Sequence, residues 1–147
     1  MSLLDKFNNL RDEAAKNMKK FANTSFMEAV LAICARVAAA DGEIADSERK
    51  KVAAAIAKTE ALQVFDASKL RDTFNQYCEL SVDDFGCLEL PKKVKKLSSN
   101  RDAAIQAVKI GYIIANADGT VDESEKTVLR QILKELGITA DDAGLPI

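Results

Sequence analysis

Histidine and tryptophan are absent from this 147-residue chain, and proline occurs only twice. Without histidine, no Ser-His-Asp or Cys-His nucleophile system can be assembled, and no His-containing zinc or di-iron carboxylate centre. Six Phe, two Tyr and six Gly give little strand-favouring or turn-forming content against abundant Ala, Lys, Glu and Leu, which predicts an all-α protein. The three cysteines, Cys34, Cys78 and Cys87, contain no CxxC pair and leave one unpaired in any disulfide scheme, so a thiol-reduced, cytoplasmic protein is expected. The longest apolar stretch, Ala29 to Ala40, is too short to span a bilayer and carries Arg36. The N-terminus alternates charges at helical spacing and lacks the apolar block of a signal peptide. A formal net charge of −2 supplies no basic field, so no nucleic-acid partner is expected.

What the chain does contain is one short passage written twice. Residues 38 to 49 read AAADGEIADSER, and residues 115 to 126 read ANADGTVDESEK, at a constant offset of 77. Six of the twelve positions are identical, and Ile44/Val121, Asp46/Glu123 and Arg49/Lys126 are like for like. Each copy reads as the end of an apolar helix, an Asp-Gly break and a second helix that opens on acidic residues. The repeat therefore predicts a duplicated helix-loop-helix carrying two acidic loops.

Around the repeat, apolar periodicity places the remaining elements. Leu3, Phe7, Leu10, Ala14, Met18 and Phe21 recur at three- and four-residue steps, marking residues 1–22 as an amphipathic first helix. Thr24 or Ser25 is expected to cap a second helix running to about Ala40, and a third spans about Asp46 to Lys58. Asp66 caps a fourth with a stripe of Leu70, Phe74, Tyr77 and Cys78. A fifth is expected from about Val82 to Leu97, weakened by Gly86 and kinked or split by Pro91. Asn100 caps a sixth to Ala117. Asp122 to Glu125 has capping-box character and opens a seventh that Gly137 ends. No linker divides the chain, so residues 1–147 are expected to form a single compact domain of about seven helices in two pseudo-symmetric halves.

The spacing Asp-Gly-x-Ile/Val-x-x-x-Glu matches the last eight positions of an EF-hand calcium loop, whose Asp and final Glu are ligands. The first third is missing: Val37 and Ala39, then Ile114 and Asn116, stand where oxygen ligands belong, so neither loop is an EF-hand on its own. Facing one another, the two half-shells would together offer Asp41, Glu48, Asp118 and Glu125 to a divalent cation such as calcium, magnesium or manganese. The residues fit a plainer account equally well. Glu125 is the third helical residue after an Asp cap, Glu48 occupies the same place, and Asp-Gly is a common turn pair. Ligation is favoured by both loops keeping Asp as well as Glu, where capping needs one of them.

Other features carry less. Lys92, Lys93, Lys95 and Lys96 form a basic run that suits a solvated helix face better than a phosphate site. The first helix carries Lys6, Arg11, Lys16, Lys19 and Lys20 beside its apolar stripe, and fits peripheral membrane contact, a partner surface or packing on the core. Cys34 lies on an apolar stripe, and no cationic arrangement activates Cys78 or Cys87.

The run Phe26-Met27-Glu28-Ala29-Val30 leading to Cys34-Ala35-Arg36-Val37-Ala38, the two Asp-Gly-x-x-x-x-x-Glu loops, Leu62 to Asp66, and the order of these segments resemble the tellurite-resistance protein TerB family. The resemblance implies a compact bundle of about seven helices in pseudo-symmetric halves and no enzymatic activity. It further implies a role in tellurite and other chemical-stress resistance beside the integral membrane protein TerC, in a complex at the inner membrane. Its metal site, carried onto this chain, falls on Asp41, Glu48, Asp118 and Glu125. The leading expectation is thus a non-enzymatic, divalent-cation-binding interaction module without an organic cofactor. A metal-free scaffold docking through its basic first helix or Lys92–Lys96 face is the alternative, and a thiol-dependent tellurite-processing enzyme the third.

Overall fold

The computed structural model describes Asp5, Asn9, residues 23–117 and residues 119–147. Among the described residues there is no strand, and seven α-helices follow Asn23: α1 (Thr24–Ala38), α2 (Asp46–Lys58), α3 (Ala67–Ser81), α4 (Glu89–Lys95), α5 (Arg101–Ala115), α6 (Glu123–Leu136) and α7 (Ala140–Ala143). Short 3-10 turns at Glu60–Leu62 and Gly86–Leu88 introduce the segments leading to α3 and α4. The expected first helix, residues 1–22, lies outside the described residues except for Asp5 and Asn9, which are helical and exposed.

The centre of the molecule is α1. Eleven of its fifteen residues are buried, and it packs against α2, α3, α4, α5 and α6. This explains the apolar stretch seen in the sequence: it is a core helix surrounded by others. The small side chains of Ala29, Ala32 and Ala35 allow neighbours to approach closely. At one crossing the approach requires glycine, because a Cβ on Gly111 of α5 would lie 2.5 Å from Ile33 Cγ2.

The one charged residue in the apolar stretch from Ala29 to Ala40 is neutralised. Both guanidinium nitrogens of Arg36 donate to the carboxylate of Glu135 on α6, at 2.8 and 2.7 Å. Burial pushes the Glu135 carboxyl up, but the hydrogen bond and charge of Arg36 outweigh it and hold the group below its ordinary value.

The duplication is deeper than the twelve-residue passage. Thr24, Ala38 and Asp46, which bound α1 and open α2, map onto Arg101, Ala115 and Glu123 of α5 and α6 at the same offset of 77. The caps repeat too: Asn23 Oδ1 accepts from Phe26 N at 2.8 Å, and Asn100 Oδ1 accepts from Ala103 N at 3.2 Å. The cap of α1 is therefore Asn23 and not Thr24 or Ser25, which are its first two helical residues.

The fifth helix differs most from expectation. Val82 to Phe85 form turns, a 3-10 turn covers Gly86–Leu88, and α4 begins only at Glu89. Pro91 thereby falls in the first turn of α4, where its missing N–H has no intrahelical partner to lose. The helix is shortened at its start, with no kink needed. The chain closes with α7, which the sequence reading did not anticipate. Thr139 and Asp142 cap it reciprocally at 3.0 and 3.1 Å, and Arg101 ties it to the start of α5 through Asp142 at 3.1 Å.

Candidate functional site

The two Asp-Gly breaks fold alike. Each helix ends in a turn in which the Gly N–H donates to a carbonyl three residues earlier, Gly42 to Ala39 and Gly119 to Asn116, both at 2.9 Å. Gly42 and Gly119 have φ of +95° and +99°, a conformation in which a side chain would be strained. A like geometry at both ends of the duplication follows from the like sequence.

The helix starts that follow the breaks are not alike. Ahead of α6, Asp122 accepts from Glu125 N at 2.8 Å, and Glu125 Oε1 accepts from Asp122 N at 3.1 Å, a complete capping box. The N–H of Glu125, followed by the Ser124 hydroxyl, holds the Asp122 carboxyl below its ordinary value. Ahead of α2 the cap position is Ala45, whose side chain can cap nothing, so Glu48 has no reciprocal box to complete. The reciprocal box is thus complete at Glu125, whereas at Glu48, also in a first helical turn, its side-chain cap half is missing.

Glu48 and Glu125 nevertheless reach the same place. The ends of α1 and α5 and the starts of α2 and α6 enclose a cleft of about 450 Å³, measured with its open mouth, and both glutamates line it. Its apolar side is supplied by Val37, Val52 and Ile114, with Cys34 also on the wall. Both glutamates are half-buried. Lys51, one helical turn from Glu48, lines the cleft as well and brings a positive charge that the sequence reading missed. Its signal was the three-residue spacing from Glu48, indistinguishable from that of other surface lysines.

Asp41 is exposed and is not among the cleft-lining residues; its Oδ1 turns back to accept from Glu43 N at 3.2 Å. Asp118 lies outside the described residues. Of the four carboxylates singled out in the sequence, two are therefore brought together. Among the described residues, no three His, Cys, Asp or Glu side chains gather as a ligand cluster. The donor set is all oxygen, which suits a hard cation in chemistry. Two glutamates fall short of its usual six to eight oxygens, which backbone carbonyls and water would have to complete.

Cys34 and Cys78 are both buried. Burial raises the Cys34 thiol well beyond the ordinary range, and it pushes Cys78 up to about 11 against the opposing charge of Arg49. Both thiols stay protonated near neutral pH and are poor nucleophiles. Cys87, half-buried, donates weakly to the Asp84 carbonyl at 3.4 Å. The basic run is partly engaged: Lys92 pairs with Glu89 at 3.1 Å and Lys93 with Glu28 at 3.4 Å. Among the described residues, no helix is long and apolar enough to cross a membrane.

With this geometry established, comparison with known proteins is decisive about kinship. The family model of the tellurite resistance protein TerB matches residues 27–145. The chain belongs to the TerB family. Among curated proteins, the tellurium resistance protein TerB of Alcaligenes sp is 29% identical over 104 residues, which cover 69% of this chain and 84% of that protein. No solved structure matches the chain. The matched region of the family model runs from the first turn of α1 to Leu145 and so includes both acidic loops and the cleft between them.

Proposed function

We propose that this TerB-family protein is a non-enzymatic interaction module in tellurite and chemical-stress resistance that binds a divalent cation between its two acidic loops and acts with an inner-membrane partner of the TerC type. The carrying observation is that Glu48 and Glu125, the equivalent glutamates of the two copies, line one cleft. A complete capping box accounts for Glu125, and the second copy lacks the capping side chain that would make the same box with Glu48. Two carboxylates sharing a cleft repel each other, and a cation between them relieves that repulsion. Because the walls are the ends of α1 and α5 and the starts of α2 and α6, occupancy would fix the angle between the two helix pairs and so the surface offered to a partner.

A site with few protein ligands is expected to bind weakly, with a dissociation constant of about 10⁻⁵ to 10⁻³ M for calcium. Calcium, magnesium or manganese at about a hundredfold above that constant adds about 2.7 kcal/mol of stability, read as a rise in melting temperature. Glu48→Gln combined with Glu125→Gln should abolish the rise. Glutamine still accepts the cap hydrogen bond, so this pair separates ligation from capping. Asp41→Asn with Asp118→Asn asks the same of the remaining two carboxylates. A melting temperature indifferent to all three ions would discard the cation and leave the metal-free scaffold, whose Lys51 offsets the glutamate charge. The buried, protonated Cys34 and Cys78 count against a thiol-based enzyme.

A further inference from the structure

The segment joining α3 to α4 presents apolar side chains to water. Within the 147-residue chain Phe85 is 83% exposed, Leu88 60% and Val82 50%. Hydrogen bonds hold the segment in one shape. The Asp83 carboxylate accepts from the backbone N–H groups of Phe85 and Gly86, and the Asp83 carbonyl accepts from Cys87 N at 3.0 Å. Gly86 is buried so close to Leu80 that a Cβ would lie 2.9 Å from its Cδ2. Leu88 N donates to the Phe85 carbonyl at 3.2 Å and closes a 3-10 turn. Side chains three residues apart eclipse in such a turn, so Phe85 and Leu88 stand on the same side. A scattered exposed leucine is ordinary, whereas two large apolar groups fixed on one side of a turn, with Val82 on the same short segment, mark a contact surface.

Charge decides what kind of surface meets them. Glu79, Asp83, Asp84 and Glu89 are all exposed, and no basic residue lies between positions 79 and 89. Lys92 pairs with Glu89 at 3.1 Å, and the Asp83 carboxylate is taken up by its own turn. Among the described residues, Glu79 and Asp84 enter no ion pair. The apolar pair is thus bracketed in sequence by carboxylates whose charge is unanswered. Two copies of the chain meeting at this turn would bring like charges together, and an anionic bilayer surface would be repelled for the same reason. A protein surface carrying Lys and Arg meets the electrostatic demand. Because most of Phe85 projects into water, the depression that receives it belongs to the partner.

We propose that the turn formed by residues 82–88 is the docking surface for a partner protein that offers an apolar pocket bordered by Lys and Arg, with Phe85 as the anchor. This rests on the reading of the protein as an interaction module and needs neither the cation nor its cleft.

The test is photocrosslinking in the native cells, with p-benzoylphenylalanine in place of Phe85 in the full-length protein. The same group in place of Val64, 53% exposed in the turn ahead of α3, is the comparison. Expected at position 85 is an adduct with another protein, joined through a segment in which mass spectrometry finds apolar residues flanked by Lys or Arg. Glu79→Lys with Asp84→Lys should reduce that adduct by about tenfold at equal protein abundance and with helical circular dichroism retained. Should that pair misfold, Glu79→Gln with Asp84→Asn takes its place, with a loss in the same direction. A joined segment without Lys or Arg, an adduct with a second copy or with lipid, an adduct indifferent to the charge changes, or no adduct at position 85 each overturns the proposal. In the last case, a protein adduct at position 64 keeps the interaction module and discards this surface alone, whereas its absence counts against both.

Discussion

Arg36 is a charged side chain on the most apolar helix, and its partner decides whether that is tolerable. Glu135 meets it with two parallel hydrogen bonds, and the side chains are only 13% and 10% exposed. Removing one partner leaves the other charge buried and uncompensated, so Glu135→Ala should cost about 3 kcal/mol, seen as a lower urea midpoint with unchanged slope. Replacing both, as Arg36→Met with Glu135→Leu, should recover most of that loss, since apolar substitutes of similar size avoid the desolvation cost. At this same scale the candidate site was half legible. Glu48 and Glu125 could be picked out because the repeat placed them at equivalent positions, and they do share a cleft. Asp41 was chosen on the same ground, yet its carboxylate serves its own turn through Glu43 N. A short Asp side chain beside a Gly in the left-handed region bonds locally as readily as it reaches outward, and spacing cannot distinguish the two.

Between elements, the crossing of α1 and α5 sets the sharpest steric demand. Gly111→Ala would gain about 1 kcal/mol in helix propensity, but its new methyl collides with the β-branched Ile33 in a filled core. Overpacking wins: a net loss of about 1–2 kcal/mol is expected by urea denaturation. Ile33→Ala in the same protein should cost less than the sum of the two single changes, because it makes room for the methyl. The element boundaries show where sequence reading succeeds. The limits of α2 and the start of α6 were readable because Asp-Gly breaks and acidic first turns punctuate them. Asn23 was overlooked beside two hydroxyl residues that are also good caps, although its equivalence to Asn100 at the repeat offset was there to be used. The span from about Val82 was expected to be helix weakened at Gly86, yet Val82 to Phe85 form turns, and Val82, Phe85 and Leu88 face water. Four-residue α7 was missed for want of length: it depends on Thr139 and Gly144 at its ends and on Arg101 from another helix.

At the scale of the whole molecule, four carboxylates among the described residues sit below their ordinary values. Asp66 is held down chiefly by the Ser68 hydroxyl, Asp122 by Glu125 N–H, Asp142 by Thr139 N–H, and Glu135 by Arg36 against the upward push of burial. In each the unfolded chain takes up its proton first, so the stabilisation is complete above the unfolded values of 3.8 for Asp and 4.5 for Glu. It is lost as pH falls through the lower folded values. Urea midpoints should therefore be level near neutrality and drop on acidification below about pH 4.5. Asp122→Asn, which keeps the cap, should flatten part of that slope. A different consequence follows from the place of α1 at the hub. Every face of it is occupied, so substitutions from Ala29 to Ala35 disturb several helices at once. Random mutagenesis scored by survival will therefore collect casualties of folding along this stretch, at lowered cellular abundance, whatever the protein does. Alleles that lose the phenotype at normal abundance are the informative ones, and they should come from the rim of the molecule.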